Sequence, residues 1–563
     1  MTTERQRITR TSEEFTVPRR TVLRASATVA GVGITAGAGT FAAATAGAQP
    51  AGRTPRFVHG VASGDPLPDA VILWTRVSPT LDATPGSGVG PTVTVAWEVA
   101  TDASFANVVR SGSVEASAAS DHTVKIDATG LSPSTRYHYR FVSETQTSPT
   151  GITHTAPAAD ADLDRLRFGV VSCSNWEAGY FGAYRHLAAR GDLDAVIHLG
   201  DYIYEYGTGE FAAGSKVIRA HEPTHDIVTL SDYRQRHAQY KTDPDLAALH
   251  AKLPWIVTWD DHETANDAYD GGAENHDPAT QGAWQERRAA GMQAYLEWMP
   301  VRAGGTMSEP RLYRRLQFGN LMELSMLDLR SYRSRQVSPA SREADAFERS
   351  ITGPQQMDWL RKGLVSADAT WKVVGNPVMI TPCLFPPLEP QTTAAVTEML
   401  GVPAGGLPYN ADQWDGYTAD RRTLFDALHG SDVRNAVFIT GDIHSSWAAD
   451  LPVDPANYPA SPTVGTELVV PSVTSDNVDD IVGAPPRTIA VAAEEAFRAA
   501  NHHIKYVELD SHGYAVLEVN RQAAQMDWFY LDDRTNPATG VRRAVGYRVV
   551  ADGGRVEIAP PLP

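Results

Sequence analysis

Apolar and polar positions divide the chain into regions with two different periods. Between residues 57 and 156, short segments that alternate or run apolar are separated by Gly, Ser, Pro and Asp. Short strands at this spacing are typical of a small β-sandwich. We therefore predict an N-terminal β-sandwich domain over 57–156, with strands in "VTVAWEVAT", "HTVKIDATG" and "RYHYRFVSE".

From residue 165 the pattern changes to apolar strands that alternate with amphipathic helices. Such alternation indicates a buried sheet with helices on its faces, where ligands collect at the strand ends. We predict an α/β catalytic domain over 165–535, a C-terminal tail over 536–563, and polar insertions at 207–250 and 265–310 that wall a cleft. The predicted strands lie in "LRFGVVSCSNW", "LDAVIHLGD", "LPWIVTWDDHE", "LMELSMLDLRSYR", "TWKVVGNPVMI" and "NAVFITGDIHSSW", and the helices in "EAGYFGAYRHLAARG", "GPQQMDWLRKGLVSAD" and "DRRTLFDALHGSD".

The first residues form a separate segment. Arg19 and Arg20 precede a weakly apolar Ala/Gly/Thr stretch that ends in Ala-x-Ala sites near Ala46 or Ala48. A transmembrane anchor is the alternative, but Ala and Gly are too weakly apolar for stable spanning. We therefore predict a twin-arginine signal peptide over residues 1–48, which is read by the twin-arginine translocase and leads to a secreted, extracellular protein exported in the folded state.

Charge and cysteine content narrow the class of protein. The 563 residues carry a formal net charge of −18, and Lys and Arg form no long patch, so we expect no nucleic-acid-binding surface. The two cysteines are Cys173 and Cys383. A disulfide is the usual outcome in an exported protein, but the residues around Cys173 argue against one.

Five predicted strands end in clusters of polar side chains. One Asp or His at a strand end is usually a turn or cap residue, but several clusters on one sheet edge would place like charges together at a cost of several kcal/mol. Cations at the centre would remove this cost, and a carboxylate on a tight Gly turn can bridge two of them, as in two-metal hydrolases. The clusters contain Cys173; Asp201; Asp260, Asp261 and His262; Asp328 and Arg330; and Asp442 and His444.

In this order, six stretches resemble the PhoD-type alkaline phosphatases, which are calcineurin-like metallophosphoesterases with an N-terminal β-sandwich. The likeness spans nearly the whole chain after the signal peptide. It implies a metallophosphoesterase αββα sandwich as the catalytic domain, and "LSPSTRYHYRF" is similar to fibronectin type III-like domains, so we expect that type of sandwich before it. The six stretches are "VHGVASGDPLPDAVILWTR", "VVSCSN", "HLGDYIYEY", "WDDHE", "MLDLRSYR" and "GDIHSS".

The resemblance also implies a role for each site residue. Asp201 is the bridging ligand, Tyr204 an iron ligand, and Cys173 a thiolate ligand where the wider superfamily has Asp and His. In the third motif Asp261 replaces the usual Asn as a ligand and His262 faces the phosphate. Asp442 and His444 fill the ligand positions of the last motif. Asp260 is left open as a hydrogen-bond acceptor or cap, and the role of Asn266 is also left open.

These ligand types indicate which metals bind. Carboxylates in place of neutral ligands favour Ca²⁺ over zinc or manganese, while phenolate and thiolate suit Fe³⁺. We therefore expect Fe³⁺ with one or more Ca²⁺. Arg330 follows an apolar strand, where its guanidinium can bind phosphate oxygens or pair with the carboxylates.

We expect an alkaline phosphatase and phosphodiesterase that releases phosphate from small mono- and diesters by metal-activated in-line attack. His262 would stabilise the developing charge or protonate the leaving oxygen. An alternative is a phospholipase D-like phosphodiesterase that acts on phospholipids. A phosphoserine-type phosphatase is disfavoured because the sequence shows no nucleophilic Ser near paired metal ligands. A non-catalytic extracellular binding protein is disfavoured because it would tolerate broken motifs, whereas every motif is filled here. We expect a monomer.

Overall fold

The computed structural model describes residues 56–144, 146–211, 216–306, 309–338, 341–383 and 410–563. The predicted signal peptide at residues 1–48 lies outside the described residues. Within the described ranges, no helix is both long enough and apolar enough to span a membrane.

The largest sheet has ten strands and contains elements from the start, middle and end of the chain. Its three central strands are parallel and carry the predicted site at their carboxyl ends. In spatial order the strands are β24 (Val556–Ile558), β23 (Val541–Val550), β22 (Ala523–Leu531), β21 (Gly513–Asn520), β9 (Arg165–Val171), β10 (Ala195–His198), β11 (Pro254–Val257), β1 (Val61–Leu67), β2 (Ala70–Arg76) and β5 (Thr123–Thr129).

A second, seven-stranded sheet packs against the first. Three of its strands, β15 to β17, are parallel neighbours, as the apolar runs predict. In spatial order the strands are β14 (Arg314–Phe318), β15 (Met322–Met326), β16 (Trp371–Asn376), β17 (Ala436–Thr440), β19 (Thr463–Val469), β18 (Ser446–Pro452) and β20 (Ile504–Glu508), and a separate two-stranded ribbon pairs β12 (Gly304–Gly305) with β13 (Pro310–Arg311).

Alternation along the strands builds a four-layer core. Ile197 of β10 and Ile439 of β17 lie in the cluster between the two sheets. The neighbouring Val196 faces the opposite way, toward the helices that cover the first sheet. This is the αββα arrangement expected for the catalytic domain. The helices are α1 (Gly182–Ala189), α2 (Leu230–Lys241), α3 (Pro244–Lys252), α4 (Pro278–Gln281), α5 (Trp284–Trp298), α6 (Pro354–Ser366), α7 (Thr418–Gly430), α8 (Val478–Val482) and α9 (Ala490–Ala500).

The N-terminal strands form two layers, as predicted, but one layer belongs to the catalytic sheet. Strand β1 pairs in parallel with β11, with Ser63 opposite Pro254, so β1, β2 and β5 extend the ten-stranded sheet. They pack on a five-stranded sheet around Val71 and Tyr139. The fibronectin type III-like character and the domain boundaries stay predictions. The smaller sheet contains β3 (Val93–Ala100), β4 (Val108–Ala116), β6 (Arg136–Ser143), β7 (Gln146–Thr147) and β8 (Gly151–His154).

Two regions carry more regular structure than the sequence predicts. The range 536–563, expected to be a tail, contains β23 and β24, because Tyr547 and Val556 pack against the sheet core. The insertion 207–250 contains α2 and most of α3, and 265–310 contains α5; their apolar residues cover a face of the ten-stranded sheet. These helices therefore support the site rather than serving only as cleft walls.

Candidate metal centre and active site

The carboxyl ends of the parallel strands in both sheets bring the predicted site residues together. Cys173 follows β9, Asp201 follows β10, Asp261 follows β11 and Asp442 follows β17. All eight predicted site residues have little or no solvent exposure. Potential ligand atoms form three sets, and the atoms of each set lie within 4.8 Å of one another. Each set contains Asp201: Cys173, Asp201 and His444; Asp201, Asp260, Asp261 and Asp442; and Asp201, Asp261 and His262.

Left-handed backbone turns aim these side chains inward. Cys173, Asp201, Asp442 and His444 have φ of 58°, 58°, 66° and 48°, which is unusual for residues with a Cβ. Such strain costs about 1–3 kcal/mol per residue and is typically stored at functional sites. Gly200 allows the turn at Asp201, because a Cβ there would lie 2.5 Å from that of Asp260.

The first set combines sulfur, imidazole and carboxylate donors, with a phenol beside them. The Tyr204 hydroxyl lies 3.1 Å from Asp201 Oδ2 and 3.3 Å from His444 Nε2. His444 Nδ1 donates to the Asp476 carbonyl at 2.7 Å, which leaves Nε2 as the nitrogen with a free lone pair. Burial lowers the pKa of His444 to about 3, so its imidazole is neutral, as a metal ligand requires.

The thiol in this set also has the surroundings of a ligand. Burial and the charge of Asp201 raise the pKa of Cys173 well above its usual value. A cation at the centre would reverse this effect, because it stabilises a thiolate directly. Both Cys173 and Cys383 are free thiols in the structure.

The second set is made only of carboxylates. Burial, together with neighbouring carboxylates, raises the pKa of both Asp201 and Asp442 well above the usual value. Asp201 Oδ1 and Asp261 Oδ1 are buried without a hydrogen-bond partner among the described residues. Unpartnered buried carboxylate oxygens are costly unless a cation binds them. The residues present therefore fit a site for hard cations.

Arg330 pairs with the carboxylates, which is one of the two roles predicted for it. Its guanidinium is buried and lies 3.0 Å from Asp412 Oδ1 and 3.0 Å from Asp442 Oδ1. It binds Asp260 through two nitrogens, and Asp261 Oδ2 is 3.5 Å away. Asp260 is thus a partner of Arg330 as well as a member of the second set. Phosphate binding by Arg330 stays a prediction.

Asp412 is part of this network but is not among the site residues predicted from the sequence. It lies 82 positions from Arg330, and its carboxylate also pairs with Arg333 at 2.8 Å. Burial acts to raise the pKa of Asp412, but these two guanidinium groups lower it below its usual value, so the carboxylate remains charged. No local pattern in "YNADQW" marks it, because its role depends on contacts made only in the fold.

His262 lies between a carboxylate and aromatic rings. Its Nδ1 is 2.7 Å from Glu205 Oε2, and its ring stacks on Tyr204 with centroids 4.2 Å apart. Burial opposes protonation, but the charges of Glu205, Asp201 and Asp261 raise the pKa of His262 well above its usual value. Because His262 also belongs to the third set, the structure brings it close to the metal-ligand candidates. Its predicted action on phosphate stays a prediction.

Two glutamates that are not among the predicted site residues connect the second and third motifs. Glu205, in the second, also accepts the backbone N–H of Asn266 at 2.7 Å. Glu263, in the third, accepts the N–H groups of Asp201 at 3.1 Å and Tyr202 at 2.5 Å. Each loop thus supplies the carboxylate that holds the other, and Asn266 contributes through its backbone.

Comparison with known proteins defines the family. The profile of the PhoD-like phosphatases matches residues 168–528, and that of their N-terminal domain matches residues 42–157. The chain is therefore a member of the PhoD-like phosphatase family, and it is a phosphoric ester hydrolase.

Two relatives extend this match over most of the chain. Alkaline phosphatase D of Bacillus subtilis (strain 168) is 37% identical over 493 residues, which cover 86% of this chain and 79% of the relative. A solved structure of PhoD superposes with a TM-score of 0.80 at 34% identity, covering 92% of this chain and 94% of that chain. Membership of this family implies metal ions, and the three sets of ligand atoms are where the described residues can hold them.

Proposed function

We propose that the protein is an exported alkaline phosphatase and phosphodiesterase that releases phosphate from small mono- and diesters. The observation that carries this proposal is the shared Asp201, which lies in a sulfur- and nitrogen-containing set and also in an all-carboxylate set. One carboxylate common to two such sets is the layout of a two-metal phosphoesterase. None of the comparisons favours the phospholipid alternative.

The donor types support the choice of metals in this proposal. Cys173, Asp201, Tyr204 and His444 would hold Fe³⁺, since thiolate and phenolate stabilise the ferric state. Asp201, Asp261 and Asp442, with Asp260 beside them, would hold Ca²⁺ through hard oxygen ligands. When bound, the metals supply positive charge against the phosphoryl oxygens and Lewis acidity for the in-line attack.

The chain's own residues orient the ligands and handle the proton. Asp260 and Asp412 bind Arg330, which in turn approaches Asp261 and Asp442 and limits the directions in which these ligands can turn. Glu205 fixes the His262 ring through Nδ1 and favours its protonated form. A protonated imidazole can stabilise charge on the phosphoryl group or give a proton to the leaving oxygen.

The test is activity with defined metals. Purified enzyme should hydrolyse p-nitrophenyl phosphate and bis(p-nitrophenyl) phosphate at alkaline pH, lose activity to a calcium chelator, and recover it on addition of Ca²⁺. Recovery with Zn²⁺ but not Ca²⁺ would contradict the calcium assignment. Absence of hydrolysis of both esters by the fully loaded enzyme would contradict the substrate class.

Export is a second part of the proposal, and the Arg19–Arg20 pair in the sequence supports it. The twin-arginine route transports folded proteins, which suits an enzyme that loads metal before it leaves the cytoplasm. Replacing both residues with Lys should retain the protein in the cytoplasmic fraction. Normal amounts outside the cytoplasm would contradict the assignment.

A further inference from the structure

Two partly exposed aromatic rings lie beside His262. The Phe211 ring is 5.1 Å from the imidazole at 69°, and it stacks on Tyr206 with centroids 4.8 Å apart at 24°. Tyr206 is itself 5.8 Å from the imidazole. Both residues retain intermediate solvent exposure, whereas His262 is buried. We call Tyr206 and Phe211 the aromatic wall.

Buried charges hold the loop that carries the aromatic wall. The fully buried Arg236 donates to the Tyr206 carbonyl at 3.0 Å and to the Pro223 carbonyl at 2.8 Å. The Glu177 carboxylate accepts the N–H of Gly209 at 2.8 Å. Because these bonds hold the backbone at Tyr206 and at Gly209, between the two rings, the exposed surfaces of the two rings are preset in position.

Packing against the His262 imidazole is not sufficient to explain the aromatic wall. Tyr204 already covers one face of His262 at 4.2 Å, and it is fully buried, as a purely packing residue would be. The wall instead leaves apolar surface in solvent beside a site made of carboxylates and imidazole. Apolar surface with a few convergent polar groups is what a ligand with one charged end and one apolar end requires.

We propose that the aromatic wall binds the organic group of the phosphate ester and gives the enzyme a preference for aromatic and other flat apolar groups over small alkyl groups. The inference rests on the proposed function, in which the phosphoryl group lies next to His262. An ester placed there has its organic substituent within reach of Phe211, where ring stacking adds to apolar burial.

Phosphonates test this contact without any bond cleavage. Phenylphosphonate and methylphosphonate share the charged group, so the ratio of their inhibition constants against p-nitrophenyl phosphate hydrolysis reports the organic group alone. The wild-type enzyme should bind phenylphosphonate about threefold to tenfold more tightly, as expected for an aromatic contact. Phe211→Ala should bring the ratio close to one and leave the constant for methylphosphonate unchanged, and Phe211→Leu should give an intermediate ratio.

Phe347→Ala is the matched control, since Phe347 is 79% exposed and lies outside the aromatic wall. It should keep the wild-type ratio. Equal weakening of both phosphonates in Phe211→Ala would show that the ring only positions His262 and would overturn the proposal. An unchanged ratio in both Phe211 variants would also overturn it. If neither phosphonate competed with substrate in the wild-type enzyme, the placement of the phosphoryl group would be wrong, and the proposed function would fail with it.

Discussion

Glu205 and Glu263 hold each other's loops. Glu205 accepts from the His262 ring and the Asn266 backbone, while Glu263 accepts from the backbone of Asp201, Tyr202 and Asp260. The Asp201 carboxylate and the His262 imidazole are therefore held in place by two buried glutamates, each from the other's loop. Partners of this kind typically change metal affinity or activity by about 10- to 100-fold when mutated.

The two glutamates should have separable effects. Glu205→Gln should lower turnover about 10- to 100-fold with metal content retained, because it removes the charge beside His262. Glu263→Gln should lower metal content and thermal stability, because it loosens the turn that carries Asp201. Metal analysis, melting temperature and turnover of the two variants, measured side by side, check this. Loss of metal in Glu205→Gln with full retention in Glu263→Gln would contradict the assignment.

His262 should act on the reacting ester. His262→Ala should lower turnover by about 10² to 10⁴ with metal content retained. If His262 protonates the leaving oxygen, phenyl phosphate should lose more than p-nitrophenyl phosphate, because its leaving group is the poorer one; an equal loss would indicate charge stabilisation only. Loss of metal, or near wild-type turnover on both esters, would show that His262 has a different role.

Because of Lys241, the free energy of unfolding should increase as pH rises into the alkaline range. It is buried and has no acidic partner among the residues that the structure describes. Its Nζ lies 3.0 Å from His250 Nε2 and near the faces of Trp74 and Tyr202. Burial lowers its pKa well below 10.5. Below pH 10.5 the unfolded chain therefore binds a proton at Lys241 that the folded chain excludes. As pH is lowered from 10.5, this residue should reduce the free energy of unfolding by about 1.4 kcal/mol per pH unit, until pH reaches its pKa in the folded state.

Lys241→Met should remove this dependence. The free energy of unfolding at pH 7.5 should rise, and its slope between pH 7.5 and 9.5 should decrease. Urea titrations at each pH measure both. Lys362→Met is the control, because Lys362 is an exposed lysine paired with Asp358, and it should leave the slope unchanged. Equal slopes in wild type and Lys241→Met would mean that Lys241 is charged in the fold.

The sequence predicts the strands and their polar ends better than it predicts the helices and the residues that hold the site in place. Strands β9, β10 and β17 are apolar runs, so their positions and the convergence of Cys173, Asp201 and Asp442 could be predicted. Helix α2 could not, because its inward face carries Arg236, His237 and Lys241 in place of an apolar stripe.

Long-range contacts and backbone strain also lie beyond sequence patterns. The pairing of β1 with β11 joins segments about 190 residues apart. The contact of Arg330 with Asp412 depends on a loop whose own sequence carries no recognisable pattern. The left-handed turn at Cys173 has no local signal either, since a residue with a Cβ rarely adopts it.

Metal stoichiometry in three variants tests most directly whether Asp201 is shared by the proposed iron site and the proposed calcium site. Cys173→Ser should lose iron and the visible charge-transfer absorption but keep calcium, and Asp442→Asn should lose calcium but keep iron. Asp201→Asn should lose both. Retention of either metal at full stoichiometry in Asp201→Asn, with the protein folded, would contradict the shared ligand.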